Sequence, residues 1–242
     1  MNRVQTLQAV LDAKGWLTRY LEIGVYRGDT FFAIRSPLKT AVDPSFTYSI
    51  RTKIGAYRRN PYNLFNRYFS VTSDAFFQVP RKSQDVIFID GLHTYEQSLR
   101  DVENALTILK DDGVIVMHDC NPPSTSAAFP AESIEEVVSL NPKGFDGSWC
   151  GDVWKTICHL RASRSDLDVF VHDDDCGLGV IAKRDARTMI DLPLSQIAAL
   201  QYDDLLAHRS DWLNLKDENY LRAYISDVDS TNKMNSNHRH LD

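Results

Sequence analysis

The stretch from Arg19 to Pro44, RYLEIGVYRGDTFFAIRSPLKTAVDP, constrains the fold more than any other part of the chain. Its β-branched and aromatic start predicts a buried strand, followed by a turn bracketed by Gly24 and Gly28. A helix ending before Pro37 and a second strand stopping at Asp43 are predicted next. This strand–turn–helix–strand order is typical of the opening unit of a doubly wound α/β sheet.

In such a sheet, an acid at the end of the second strand faces the ribose of a nucleotide bound over the first turn, so Asp43 is a candidate ribose contact. Dinucleotide dehydrogenases need G-x-G-x-x-G, because the pyrophosphate must reach the helix N-terminus. The spacing here is Glu22-x-Gly24-x-x-x-Gly28, and Tyr26 puts a side chain where a pyrophosphate needs none. The acidic Glu22 also favours a cationic ligand over a diphosphate.

This spacing resembles the first motif of the class I S-adenosylmethionine-dependent methyltransferases. The resemblance implies that the turn formed by Glu22, Gly24, Tyr26 and Gly28 holds the amino-acid part of the cofactor. It also implies that Asp43 holds the ribose hydroxyls. A turn that serves only chain geometry is the open alternative.

A third short strand is predicted at Tyr68, Phe69 and Val71, ending in Thr72-Ser73-Asp74. In the methyltransferase family an acid near this strand end contacts the adenine, which implies that role for Asp74. The alternative is that Ser73 or Asp74 caps the next helix.

Residues 85–124 predict a second pair of strands that end in polar side chains. Val86 to Ile89 is a near-continuous apolar run, as expected for a central parallel strand, and it stops at Asp90-Gly91-Leu92-His93. A helix capped by Thr94, with Gln97 completing a capping box, is predicted to about Lys110. After a turn at Asp112-Gly113, the strand Val114 to Met117 stops at His118-Asp119. Ligands bind at this edge of open α/β sheets.

Asp90, Asp119 and His118 are candidate ligands for a divalent ion at that edge. Mg²⁺ takes one or two carboxylates and completes its shell with water and substrate oxygens. An imidazole such as His118 favours Mn²⁺ or another transition metal slightly over Mg²⁺. His93, three residues after Asp90, can accept a proton from a hydroxyl near neutral pH.

Asp-Gly-x-His after the fourth strand and His-Asp after the fifth resemble the metal-dependent O-methyltransferases, within the branch that acts on macrolide sugars and cephamycin-type substrates. The resemblance implies that Asp90 and Asp119 bind the metal, that Asp90 also borders the cofactor, and that His93 is the general base. His118 departs from it, because the sugar-modifying relatives have Glu there. GDVWK at 151–155 also recurs in this branch and places Trp149 and Trp154 near the acceptor, although helical spacing favours Trp154 as core.

Each of these residues also has a structural reading. Asp90 can cap a turn, His93 can be an exposed loop residue, and His118-Asp119 can bond the following Asn-Pro-Pro turn. The acidic turn His172-Asp173-Asp174-Asp175 is predicted to be solvated and to hold no cation.

Composition excludes other classes of function. The net charge of −6 argues against a nucleic-acid partner. We find no apolar run of about 18 residues and no signal-peptide core, so no membrane role is predicted. The four cysteines show neither CxxC nor zinc spacing, which favours reduced thiols in the cytoplasm.

The predicted fold is an α/β, Rossmann-like doubly wound sheet of seven strands, mostly parallel, with the last strand antiparallel and a helical C-terminal appendage. The methyltransferase domain is assigned to residues 1–185, and residues 186–242 are a helical extension whose last dozen residues are disordered. The predicted activity is O-methylation of a small polar acceptor, such as a sugar, with S-adenosylmethionine and Mg²⁺ or Mn²⁺. A nucleotide-dependent oxidoreductase and a non-catalytic cofactor-binding protein are the alternatives, and a homo-oligomer is left open.

Overall fold

Strands and helices alternate along the chain in a computed structural model that describes residues 1–238, with side chains described to residue 230. The strands are β1 Arg19–Ile23, β2 Leu38–Val42, β3 Arg67–Phe69, β4 Gln84–Ile89, β5 Leu109–Met117, β6 Asp168–His172, β7 Leu178–Ala182 and β8 Leu215–Lys216. The helices are α1 Arg3–Lys14, α2 Asp29–Ala33, α3 Ile50–Arg59, α4 Ser73–Phe77, α5 Tyr95–Ile108, α6 Ile134–Leu140, α7 Val153–Ser163, α8 Leu194–Ile197, α9 Tyr202–Trp212 and α10 Glu218–His238, with a short 3₁₀ helix at Pro61–Asn63.

The strands form one sheet in the order β3-β2-β1-β4-β5-β7-β6-β8. The first five strands are parallel, whereas β7 runs antiparallel to both of its neighbours, as predicted. From β1 the chain builds outward through β2 and β3, and from β4 it builds outward in the other direction through β5. The boundary between β1 and β4 is therefore a topological switch point, where a crevice opens at the carboxyl ends of the strands.

Alternation of side chains along the strands divides the core between the two faces of the sheet. Ile87 and Ile89 of β4 pack with residues of α5 and α7 on one face. Val86 and Phe88 pack on the other face, with residues of α1 and α10. Both faces are covered, which explains why the central strands read as continuous apolar runs.

The described residues form eight strands where the sequence predicted seven. The eighth, β8, comes from the C-terminal extension and pairs parallel with β6 through Val171 and Leu215. A two-residue strand carries no alternation that a sequence pattern could reveal. The predicted turn at Asp112-Gly113 was also wrong, because β5 begins at Leu109 and contains both residues.

The C-terminal extension contributes to the core through α10. Leu221, Tyr224 and Val228 are buried there, and α10 packs along α1. The division at residue 185 stays a prediction. So does the disordered tail, because the backbone is described only to His238 and residues 239–242 lie outside the described residues.

Replacing Leu221 by Ala should lower the free energy of unfolding by about 2–5 kcal/mol, because it removes a fully buried side chain and leaves a cavity. Ser226→Ala, an exposed change on the same helix, is the control and should have little effect. Urea unfolding measures both. Equal stabilities for the two variants would show that α10 is an appendage rather than part of the core.

Candidate functional site

Backbone hydrogen bonds link the carboxyl ends of four neighbouring parallel strands, β2, β1, β4 and β5, in one row. The amide of Asp90 donates to the carbonyl of Ile23 at 2.9 Å, and the amide of His118 donates to Ile89 at 3.0 Å. On the other side, the amide of Gly24 donates to Val42 at 2.9 Å. The row brings the glycine turn, Asp90 and His118 to the same edge of the sheet, as the sequence predicted.

Gly24 is required by the close approach of the chain after β4. Its φ is +82°, and a Cβ atom placed on it would lie 1.9 Å from the carbonyl oxygen of Asp90. Any side chain would therefore force the first turn and the Asp90 loop apart. The glycine serves this packing and at the same time leaves the turn open to a ligand.

Asp43 is tied to the glycine turn. Its Oδ2 accepts from the amide of Tyr26 at 2.7 Å, and its Oδ1 accepts from the amide of Ser45 at 2.7 Å. Tyr26 itself has a φ of 47° and an exposed ring, and Gly28 is the N-cap residue of α2. Each carboxylate oxygen keeps a free lone pair, so the geometry leaves Asp43 able to accept from a ribose hydroxyl.

Glu22 lies deeper than the sequence motif suggested. Its side chain is 1% exposed, and Oε2 accepts a 2.5 Å hydrogen bond from the hydroxyl of Tyr20. Burial raises the pKa of Glu22 to about 8, although the Tyr20 hydrogen bond opposes the shift. At neutral pH the carboxyl group is therefore mostly protonated, and its predicted contact with a cationic cofactor remains a prediction.

Asp74 lies in the first turn of α4, but it does not cap the helix. The cap is Thr72, whose hydroxyl accepts from the amide of Ala75, so the predicted capping by Ser73 or Asp74 was wrong. The Asp74 carboxylate meets the side chains of Gln97 and Arg100, at 3.4 and 3.5 Å. Thr94 caps α5 as predicted, because its hydroxyl accepts from the backbone amide of Gln97. The side chain of Gln97 does not complete a capping box, because its Nε2 donates to the hydroxyl of Ser73 in α4.

Asp90, His118 and Asp119 come together as predicted. Each offers a ligand atom, and these atoms lie within 4.8 Å of one another. His118 is 6% exposed, and neither ring nitrogen makes a well-directed hydrogen bond, although Nδ1 lies 2.9 Å from Oδ2 of Asp119. Buried imidazole nitrogens without such a bond, beside two carboxylates, fit a divalent ion, and this mixed nitrogen and oxygen set suits Mn²⁺ or another transition metal better than Mg²⁺.

His93 lies at the mouth of this cluster. Its Nε2 is 3.2 Å from Oδ2 of Asp119 and 3.8 Å from Oδ1 of Asp90. Its Nδ1 is 2.9 Å from the carbonyl oxygen of Trp149, whose ring lies 4.9 Å from the imidazole. Trp154, in contrast, is buried in the core, as its spacing predicted.

Two cluster members escaped the sequence reasoning. Arg3 of α1 donates from Nη1 to Asp90 at 3.0 Å and from Nε and Nη2 to Asp175 at 3.0 and 3.1 Å. Asp175 also lies 3.5 Å from Nε2 of His118. The expectation of a fully solvated acidic turn was therefore wrong for Asp175, and also for His172, which is buried. No local pattern relates Arg3 to residues 87 and 172 positions away.

The charges of the cluster shift the titration of its members. Burial alone would lower the pKa of His118, but the carboxylates of Asp119, Asp175 and Asp90 outweigh it and raise the pKa far above the ordinary value. Burial would also lower the pKa of His93, and Asp90 and Asp119 again raise it. His118 in turn holds the pKa of Asp175 well below its usual range.

Two thiols lie beside Asp119. Cys150 is buried, Cys176 is partly buried, and a ligand atom from each lies within 4.8 Å of the other and of the Asp119 carboxylate. The sequence predicted reduced thiols, because the spacing of the cysteines matches neither a CxxC pair nor a zinc motif. Residues this far apart can be brought together only by the tertiary fold.

One cavity among the described residues lies beside the cluster, and another lies away from it. One of about 380 Å³ is lined by Asn121, Arg209 and the 173–177 turn, so it opens next to Asp175 and Cys176. Another, of about 490 Å³, is lined by Glu103, Arg164 and Lys183 and touches none of the candidate site residues.

Residues 21–120 match the sequence model of a family described as a methyltransferase domain. This segment contains the glycine turn, Asp43, Asp90, His93, His118 and Asp119. Over this segment, which is less than half of the chain, the protein is similar to a methyltransferase domain. No curated protein matches the chain.

Solved structures share the fold of this chain. The Podospora anserina methyltransferase PaMTH1, solved with S-adenosylhomocysteine, is 17% identical with a TM-score of 0.51, over 76% of this chain and 80% of that one. Cofactor-bound Rv0187 from MTB is 14% identical with a TM-score of 0.53, over 76% and 82%. The O-methyltransferase TomG from Streptomyces achromogenes, solved with S-adenosylmethionine, is 13% identical with a TM-score of 0.50, over 76% and 81%. At these identities the likeness shows the fold.

No helix of the described residues is long and apolar enough to cross a membrane.

Replacing Glu22 by Gln should flatten the dependence of stability on pH. Glu22 stays protonated in the folded protein up to about pH 8, whereas it ionises above about pH 4.3 when unfolded. Its contribution to stability is therefore complete below pH 4.3 and is lost as the pH rises toward 8, by about 1.4 kcal/mol for each unit of pKa shift. Urea unfolding at pH 5 and pH 8 measures the effect. An identical fall in stability for wild type and variant would contradict the raised pKa.

Proposed function

We propose that the protein transfers the methyl group of S-adenosylmethionine to a hydroxyl of a small polar molecule, such as a sugar or a related glycan-pathway metabolite. The observation that carries this proposal is the position of His93, whose Nε2 faces the cluster of Asp90 and Asp119 at the switch-point edge. The cytoplasm, where the four free cysteines stay reduced, is the proposed location.

The cofactor is placed over the glycine turn. Its amino-acid part lies near Glu22, Gly24, Tyr26 and Gly28, and Asp43 accepts from the ribose hydroxyls. Asp74 is assigned to the adenine, and Asp90 borders the cofactor where its chain packs against Gly24. Since the sulfonium already makes the methyl group electrophilic, the protein needs to align the acceptor oxygen with it, which can lower the barrier by several kcal/mol.

His93 is oriented to act as the base. A backbone carbonyl can only accept, so the contact with Trp149 fixes the proton on Nδ1 and directs Nε2 toward the cluster. Once deprotonated, Nε2 takes the proton of the acceptor hydroxyl as the oxygen receives the methyl group. The ring of Trp149 beside His93 offers a flat apolar face against which a sugar can pack.

A divalent ion is assigned to Asp90, His118 and Asp119, with Mn²⁺ or another transition metal preferred to Mg²⁺. When bound, it would supply Lewis acidity that lowers the pKa of an acceptor hydroxyl. The guanidinium of Arg3, 3.0 Å from Asp90, limits the repulsion between the carboxylates of the cluster. Nothing in the fold or the family match favours the oxidoreductase or the non-catalytic alternative.

His93→Ala should lower kcat by about 10²- to 10⁴-fold and leave the affinity for S-adenosylhomocysteine unchanged, because the base acts on the acceptor and not on the cofactor. In the wild type, kcat/KM should rise with pH through a midpoint above about 6.5, since the carboxylates raise the pKa of His93 above the ordinary value. Methyl transfer to a panel of sugar hydroxyls, assayed across pH, measures both.

The control is His208→Ala, which removes an exposed imidazole on α9 and should leave the turnover and its pH profile unchanged. Full turnover in His93→Ala would remove this residue from the mechanism. Turnover on no hydroxyl acceptor, with intact cofactor binding, would refute the O-methyl transfer.

A further inference from the structure

Three separate segments bring Asp119, Cys150 and Cys176 together. Asp119 follows β5, Cys176 lies in the turn between β6 and β7, and Cys150 lies in the loop before α7. The antiparallel ladder of β5 and β7 continues past the strands, because the amide of Cys120 donates to Gly177 at 3.0 Å and that of Asn121 donates to Cys176 at 2.8 Å. Cys176 is thereby held beside the chain that carries Asp119.

Cys150 is anchored independently. Its amide donates to the carbonyl of Ala127 at 2.7 Å. The loop that carries it is tied to the β4 edge, since the amide of Asp152 donates to the carbonyl of His93 at 3.0 Å. Backbone hydrogen bonds therefore hold both of the segments that carry the two thiols.

The donor set is that of a thiophilic metal ion. The two sulfurs and the carboxylate oxygen lie within 4.8 Å of one another. With Zn–S bonds of about 2.3 Å, the sulfurs of a tetrahedral site lie about 3.8 Å apart. Side-chain rotations that move the ligand atoms by about 1 Å therefore suffice to bring the two sulfurs and the carboxylate oxygen around an ion. Thiolates select zinc and related soft metals over Mg²⁺.

The surroundings supply compensating charge and an open side. His118, which is buried and lacks a well-directed hydrogen bond at either ring nitrogen, lies 2.9 Å from Asp119, and Arg3 pairs with Asp175 next to Cys176. Two thiolates and a carboxylate around a divalent ion leave one net negative charge, which the guanidinium of Arg3 offsets. The cavity of about 380 Å³ reaches Cys176, which gives an ion a way in and leaves room for a fourth, exchangeable ligand.

We propose that Asp119, Cys150 and Cys176 form a second metal site, selective for Zn²⁺ and similar thiophilic ions and distinct from the Asp90–His118–Asp119 site assigned to the acceptor. Asp119 belongs to both sites, so its carboxylate links them. Binding releases the thiol protons to solvent, and no bond is oxidised or reduced.

The test is a titration of the reduced protein, kept free of oxygen, first with Co²⁺ and then, on a fresh sample, with Cd²⁺. The charge-transfer absorption between thiolate and metal is recorded in each titration. Wild type should bind one thiolate-ligated ion, and Zn²⁺ should displace Co²⁺ from it. Cys150→Ala and Cys176→Ala should each weaken binding at least 10-fold and reduce the band. Cys158→Ala, which changes a buried thiol in α7 outside the cluster, should retain both.

The readout does not depend on catalysis. Asp90→Asn disrupts only the other site and should leave the charge-transfer band unchanged, so failure of the proposed methyl transfer and failure of the thiol site are distinguishable. Circular dichroism and S-adenosylhomocysteine binding on the same samples identify a variant that has not folded. A wild type without a thiolate band, or a folded Cys176→Ala with the full band, would overturn the proposal.

Discussion

The site depends on the common register of β1, β4 and β5. Because these parallel strands end together, the hydrogen bonds from Asp90 to Ile23 and from His118 to Ile89 fix the chain at the edge where the sheet changes direction. Gly24 then allows the loop after β4 to lie against the first turn, with no space for a Cβ atom between them. The proposed cofactor over the turn and the proposed acceptor beside Asp90 would be adjacent for this reason.

At this edge the protein concentrates charge and backbone strain. Asp90, Asp119 and Asp175 face His93, His118 and Arg3 within 4 Å. Among the described residues, six besides glycine have positive φ, and four of them lie here: Tyr26, Asp119, Asp175 and Cys176. Each costs of order 1–2 kcal/mol, so the surrounding sheet must hold them in place. Such strain is typical of functional sites.

The sequence predicted what local pattern encodes. The continuous apolar runs predicted the central strands, and the polar residues that follow these strands predicted that Asp90, His93, His118 and Asp119 lie at one edge. Contacts between residues far apart in the sequence, which leave no local pattern, could not be predicted. Arg3 contacts Asp90 from α1, 87 residues away in sequence, β8 is only two residues long, and Cys150 and Cys176 come together from two separate loops. Glu22 matched its motif, yet the motif did not indicate that the hydroxyl of Tyr20 would donate a hydrogen bond to its buried carboxyl group.

The central claim is that the switch-point edge binds S-adenosylmethionine, and calorimetric titration with S-adenosylhomocysteine tests it most directly. Binding should be saturable with one site per chain. Asp43→Ala should weaken binding at least 10-fold, because the variant lacks the carboxylate that is proposed to accept from the ribose hydroxyls. Asp12→Ala, which changes an exposed acid on α1, should bind like the wild type. No binding to the folded wild type, or equal affinity in Asp43→Ala, would contradict the account.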